Sequence, residues 1–503
     1  MNAPTDFDGF ARRYAQGEAQ VVSTTLIADL ETPVSAFLKI AGEKPNAFLL
    51  ESVEGGETRG RYSMIGLDPD VIWRANGNRA EINRQALTDK LTFVPCPEPP
   101  LAALRALLAE SAIPLPEGAP PMAAGVFGYL GYDMVRQMER LGPAKADPIG
   151  VPEALLIRPT IMVVFDAVKD ELTAVTPVRP QPGVPAKAAF EAALERLDGI
   201  VAALDRPMAH PAPEPFHGHV EATSNTGEAE FCAMVDKAKE YIRAGDVFQV
   251  VLSQRFESPF TLPPFALYRA LRRINPAPFL VYLNFEGFSV VCSSPEILVR
   301  LRGGKVTIRP IAGTRRRGAT PGEDDALAAE LLADPKERAE HLMLLDLGRN
   351  DAGRVSQIGT VEVTDSFFIE RYSQVMHIVS NVEGRIDNRF DALDALAAGF
   401  PAGTVSGAPK VRAMEIIDEL EKDKRGIYAG AIGYFGANGE MDTCIVLRTA
   451  VVKDGRMYVQ AGAGLVYDSV PVSEHQECVN KAKALFRAGE EAVRFAARAN
   501  RGQ

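Results

Sequence analysis

Residues 460–485, QAGAGLVYDSVPVSEHQECVNKAKAL, hold the clearest local signals in this chain. MYVQAGAG (457–464) has the aromatic and β-branched content of a strand. QAGAGLVYDS (460–469) is a glycine-rich stretch that predicts a turn, where small residues let backbone N–H groups approach an anion. SEHQECVNKAKAL (473–485) predicts a helix, on which Glu474 and Glu477 share a face because they stand three apart. The same spacing recurs upstream in PKERAEHLMLLDL (335–347), with Glu337 and Glu340. Two such pairs brought together could hold Mg²⁺, a hard cation that takes oxygen ligands and keeps some of its waters. Glu-x-x-Glu is equally the pattern of a solvated helix face, so spacing alone leaves both readings open.

Outward from this stretch, strands and helices mix throughout. FLLESV (48–53), IMVVFDAV (161–168), VFQVVLSQRF (247–256), FLVYLNF (279–285), FSVVCSS (288–294) and VTIRPIAG (306–313) predict strands. LAALRALLAES (101–111), PAKAAFEAALERLDGIVAAL (185–204) and EDDALAAELLADPKERAEHLMLLDL (323–347) predict helices. Proline clusters at 94–100 and 176–185 mark loops, and the strongest break is a four-proline stretch followed by polar sequence near 206–228. The expected organisation is an N-terminal region over 1–205, a linker over 206–221 and a C-terminal region over 222–495. GEAEFCAMVDKAKEYIRAG (227–245) opens the last region as a helix with Gly245 at its C-cap. The fold class is α+β.

Composition narrows the function. The 503 residues are 46% hydrophobic and 24% charged, which fits a soluble globular protein and excludes collagen-like, disordered and disulfide-stapled classes. A net charge of -11, from 66 acidic and 55 basic residues, gives no general attraction to nucleic acid or anionic lipid. An anionic substrate then needs a local device: an arginine, a metal ion or oriented amides. Five scattered cysteines without a CxxC pair argue for a reducing compartment and against structural zinc. The N-terminus lacks a signal peptide and no run approaches the roughly 18 apolar residues of a membrane span, so a cytoplasmic location is expected. Neither GxGxxG after a strand, nor GxxxxGK[ST], nor GxSxG occurs, which removes dinucleotide, P-loop and serine-elbow chemistry.

Several single residues stand out. Two more glycine-bearing stretches, PIAGTRRRG (310–318) and FPAGTVSGAPK (400–410), are tight turns or anion-binding backbone. Arg448 lies in the apolar, strand-like CIVLRTA, where a buried arginine needs an anionic partner and an exposed one needs none. His377 in ERYSQVMHIVS is one of six histidines and reads either as a packed residue or as a catalyst. Glu296 in CSSPEILVR follows a strand and a proline turn, a place for a general acid or for a solvated carboxylate.

Taken together and in order, DLGRNDAGR (346–354), ERYSQVMHIVS (370–380), FPAGTVSGAPKVRAMEIID (400–418) and residues 460–485 resemble the chorismate-utilising enzymes, in particular the large-subunit (component I) family of anthranilate synthases. The resemblance spans about residues 20–490. It implies two intertwined domains built on a large β-sandwich flanked by helices. It also implies that Glu340 and Glu477 ligate Mg²⁺, with Glu337 and Glu474 holding its waters, and that the ion meets the ring carboxylate of chorismate. Arg448 and Tyr428 match the grip on the enolpyruvyl carboxylate; Gly313, Thr314, Gly462, Ala463, Gly464 and Lys481 match further substrate contacts. His377 matches the histidine near the departing ring hydroxyl, and Glu296 the acid that protonates it.

Within the family, nucleophiles differ. Water-adding relatives use a lysine base where this chain has Gln249, and a neutral amide cannot take a proton from water. Aminodeoxychorismate synthases, the alternative in the folate pathway, use a nucleophilic lysine in PIKGT; here the motif is PIAGT, with Ala312. The expected nucleophile is ammonia, and the expected products are anthranilate and pyruvate, in the first committed step of tryptophan biosynthesis. A catalytically dead sensor on the same scaffold should have lost a metal glutamate or Arg448, and both are kept. No cysteine sits in a glutaminase motif and little chain follows residue 485, so a separate glutamine amidotransferase subunit is expected as partner. LLESVEGGETRGRYSMIG (49–66) resembles the family's segment for feedback inhibition by L-tryptophan, with Ser52 facing Pro278, Phe279 and Leu280. Two departures from the family pattern are Cys478, in place of threonine, and Gln374, in place of histidine.

Overall fold

A strand buried on both faces has no polar side to show, so it reads as an unbroken apolar run. In the computed structural model, which describes residues 6–51, 60–208, 222–372 and 375–497, most of the predicted strands are of this kind; VTIRPIAG (306–313) is not, and is divided at Pro310 into the partly exposed strands Lys305–Ile308 and Ile311–Arg316. In the strand Phe279–Phe285, Val281 and Leu283 enter one core while Leu280 and Tyr282 enter another. Ala47–Glu51 divides the same way, with Phe48 and Leu50 on the first side and Ala47 and Leu49 on the second. The first core consists mainly of strand residues and is the interior of a sandwich. The second core, and a third around Trp73 and Leu252, add helices, which cover its outer faces.

Among the described residues, 22 strands join in one hydrogen-bonded network, and every ladder between them is antiparallel. The two halves of the chain are interleaved in it. Ala47–Glu51 pairs with Phe279–Phe285, and Gly125–Leu130 pairs with Ala431–Gly436. The α+β class is as expected. Of the expected linker, residues 209–221 fall outside the described residues, as do Ser52 and Gln374. No described helix is long and apolar enough to cross a membrane.

Local signals were mostly obeyed. The helix Glu228–Ala244 ends at Gly245 in the left-handed region, φ 84°. The helix Pro335–Gly353 begins at Asp334, whose carboxylate accepts from the N–H groups of Lys336 and Glu337. Some expectations need correction. The helix predicted over 323–347 is two helices, Pro321–Ala333 and Pro335–Gly353, parted at Asp334. Of the two readings of 460–464, the strand holds and the turn does not: these residues belong to Arg456–Leu465, paired with Gln249–Pro259, and the chain bends only after Leu465. Arg448 is not in a strand but at the break between Met441–Ile445 and Thr449–Lys453, in the left-handed region at φ 49°.

Candidate active site

The helices Pro335–Gly353 and Pro471–Ala497 present their glutamates beside the paired strands Gln249–Pro259 and Arg456–Leu465. Glu340 accepts a hydrogen bond from Gln249 Nε2 at 3.2 Å. Burial lifts Glu340 above the usual carboxylate range, and the charges of Glu337 and Glu477 lift it further. Glu474 is raised by burial first and then by Glu477. Glu477 pairs with Lys481 at 2.7 Å, and Lys481 Nζ donates to the Gly462 carbonyl at 2.9 Å. Glu337 is held by Arg315 at 3.0 Å, and Arg315 also reaches Asp334 and Glu330.

This donor set fits a hard divalent cation: it is all oxygen, and the half-buried Glu340 and Glu474 each feel the negative charge of Glu477, which a cation would relieve. Among the described residues no three His, Cys, Asp or Glu side chains stand close enough together to hold a metal ion by themselves, so the glutamates would need waters or substrate oxygens to complete the set.

The candidate acid and histidine stand on or between other strands. Glu296, between the strands Phe288–Ser294 and Ile297–Arg302, is buried and accepts from Thr404 Oγ1 at 3.2 and 3.3 Å. Burial pushes its carboxyl up to about 8, against the smaller opposing effects of Thr404 and Arg448. His377, on the strand Val375–Arg385, sets Nδ1 2.8 Å from the Gly313 carbonyl and 3.1 Å from Thr314 Oγ1. A carbonyl only accepts, so Nδ1 carries the proton and Nε2 the free lone pair. Burial lowers His377 to about 4, so the ring is neutral at physiological pH. Gly313 is itself in the left-handed region, φ 69°, and a Cβ there would come within 3.1 Å of Glu337 Oε2.

Arg448 makes no ion pair with the described acidic residues, and burial pulls its guanidinium below its usual range. A desolvated cation without a carboxylate partner is a ready site for an anion. Its left-handed backbone and that of Ala429 (φ 64°), next to Tyr428, cost roughly 1–3 kcal/mol each. Hydrogen bonds from Ala429 N to Val446 O (3.0 Å) and Val446 N to Gly430 O (2.9 Å) hold the two segments together. Tyr428 is buried beside Gly462, where an added Cβ would lie 2.8 Å from the phenol oxygen. Ala463 and Gly464 stand opposite Leu252 and Val251 in the same ladder. Ala312 is buried one residue before Gly313, with no reactive atom.

Several residues of this region escaped the sequence reading. Thr404 lies inside FPAGTVSGAPK but gave no sign that it would meet Glu296. The buried pair Arg425–Glu421 underpins the floor: Arg425 donates to the Val405 and Val251 carbonyls, and its guanidinium lies over the Tyr428 ring at 5.6 Å. A separate cavity of about 380 Å³ is lined by Pro278, Phe279 and Leu280, together with Glu51 and Tyr434, which were also missed.

Residues 46–487 match the family described as chorismate binding enzyme. Anthranilate synthase component 1 of Cereibacter sphaeroides is 58% identical over 502 residues, covering 99% of this chain and 100% of that protein. The component 1 protein of Pseudomonas putida is 48% identical over 486 residues, covering 95% and 97%. The crystal structure of anthranilate synthase component I from Streptococcus pneumoniae superposes with a TM-score of 0.75 at 36% identity, covering 92% of this chain and 99% of that one. The menaquinone-specific isochorismate synthase of Escherichia coli shares the fold at 19% identity and a TM-score of 0.71, over 96% of this chain and 99% of its own. The chain is a chorismate-utilising enzyme and belongs to the anthranilate synthase component 1 family.

Proposed function

We propose that this protein is the chorismate-aminating subunit of an anthranilate synthase, converting chorismate and ammonia into anthranilate and pyruvate at the entry to tryptophan biosynthesis. The observation that carries this reading is a carboxyl held protonated, Glu296, in a site whose lysine position is the inert Ala312. The acid suits departure of a hydroxyl, and the missing amine requires the nitrogen to arrive from outside.

In the first step ammonia adds at C2 and sheds a proton, while Glu296 donates its proton to the C4 hydroxyl, which leaves as water. Thr404 keeps the carboxyl turned toward the site. In the second step the C2 proton is removed and the enolpyruvyl group departs as pyruvate, with aromatisation as driving force. His377 Nε2, neutral and with Nδ1–H fixed on Gly313, is the first candidate for that proton. Arg448 and Tyr428 bind the enolpyruvyl carboxylate; Thr314, Lys481 and the backbone at 462–464 orient the ring. Glu340 and Glu477, backed by Glu337 and Glu474, would hold Mg²⁺, whose charge when bound offsets the ring carboxylate and eases loss of the hydroxyl.

Two further assignments complete the proposal. The cavity at Pro278, Phe279 and Leu280, which joins apolar walls to the charged Glu51 and Arg309, suits an amino acid with an indole side chain and is read as the site of feedback inhibition by L-tryptophan. Relatives named component 1 imply a second component, here a glutamine amidotransferase that supplies ammonia. The chain alone should then form fluorescent anthranilate from chorismate, Mg²⁺ and an ammonium salt, and none with glutamine until the amidotransferase is added. Turnover with glutamine alone would overturn the assignment of nitrogen supply.

A further inference from the structure

The cavity at Pro278–Leu280 and the catalytic centre are two sides of one wall. Pro295 and Ile297 line the cavity, while Glu296 between them meets Thr404. Tyr372 lines the cavity too, and its ring packs edge-on against His377, centroids 5.5 Å apart at 63°. On the cavity side, the Tyr372 hydroxyl donates to Glu370 Oε2 at 2.7 Å, and Glu370 Oε1 accepts from Arg309 Nη2 at 3.2 Å. Arg309 is itself a cavity residue. A hydrogen-bonded bridge therefore runs from the cavity wall through Glu370 to a ring that touches the candidate catalytic histidine.

We propose that Tyr372 is a positioning residue that couples filling of this cavity to the placement of His377. Packed side chains do not yield continuously, so a ligand that presses on Arg309 or on the Tyr372 ring shifts the aromatic contact as a unit. The catalytic side then loses the geometry in which the His377 lone pair faces the substrate. This inference rests on the reading that the cavity takes L-tryptophan and that the chain aminates chorismate.

The test uses the full chain, L-tryptophan as ligand, and two variants, Tyr372→Phe and Arg309→Met, which break the bridge at opposite ends. Calorimetry measures tryptophan binding, and ammonium-dependent turnover gives kcat and KM with and without saturating tryptophan, each variant being compared with its own uninhibited rate. Both variants should still bind tryptophan yet retain at least about tenfold more of their own kcat/KM under saturation than the wild type does, a change within the ordinary span of allosteric coupling. Full inhibition of both bound variants would overturn the proposal, as would loss of tryptophan binding in both, since Tyr372 would then be only a ligand contact. Failure of the wild type to bind tryptophan would remove the regulatory reading and this inference with it, an outcome distinct from a bound variant that remains inhibited.

Discussion

Glu296 owes its chemistry to where it is buried. Its proton stays on to about pH 8 because ionising it would place a charge in a poorly solvated pocket. Activity should therefore fall along a limb near pH 8, measured as kcat/KM for chorismate at a fixed concentration of free ammonia. Glu296→Gln should lower kcat by roughly 10²–10⁴-fold, the usual worth of a general acid. The same burial affects stability. With the folded value above the ordinary carboxylate range, the neutral form's contribution is complete below about 4.5 and is lost as the pH rises through about 8. Glu296→Gln, always neutral, should therefore melt above the wild type at pH 9, and a lower melting temperature there would contradict the burial account. His377 works in the opposite sense: lowered to about 4, it should leave no titration step between pH 5.5 and 7. As single residues, His377, Glu296 and Arg448 were legible only as oddities with bland alternatives. Their motifs raised them to candidates, and only three dimensions supplied Thr404 and the Gly313 carbonyl as partners.

At the scale of elements, the site depends on two helices that carry like charges toward each other. Glu340 and Glu474 are raised by burial and by their carboxylate neighbours, so protons compete with a divalent cation for the same oxygens. Mg²⁺ should accordingly stabilise the fold, by roughly 2–3 kcal/mol at a hundredfold excess over Kd. The effect should shrink as the pH is lowered, and Glu340→Gln should abolish most of it in a thermal-shift titration. An equal shift in that variant would place the cation elsewhere. Gly462→Ala tests the paired strands: the new methyl meets the Tyr428 hydroxyl, and overpacking typically costs about 1–3 kcal/mol. The expected readout is a raised KM for chorismate. Element types were readable because apolar runs, caps and breakers are local. At 460–464 two local signals conflicted: glycine favours a turn by propensity, but the strand signal of MYVQAGAG prevailed, with Tyr428 packed into the space that a side chain at Gly462 would need.

At the scale of the molecule, no pattern within either half could show that the halves are woven together. The partners of Phe279–Phe285 and Ala431–Gly436 lie more than two hundred residues earlier in the chain, and register across such a distance is set by tertiary packing. It follows that residues 222–495 expressed alone expose two strand edges that the N-terminal half covers in the intact chain, and should be insoluble or melt without cooperativity. A soluble, active fragment would contradict the interleaved fold. Interleaving also lets Leu50, Glu51 and Arg61 of the N-terminal half line the same cavity as Pro278–Leu280. The most direct test of the whole account is the product made by the purified chain from chorismate, Mg²⁺ and an ammonium salt at mildly alkaline pH without glutamine, identified by mass and by pyruvate release. Anthranilate and pyruvate in equal amounts are predicted; a non-aromatic amino product that retains the enolpyruvyl group would contradict the account.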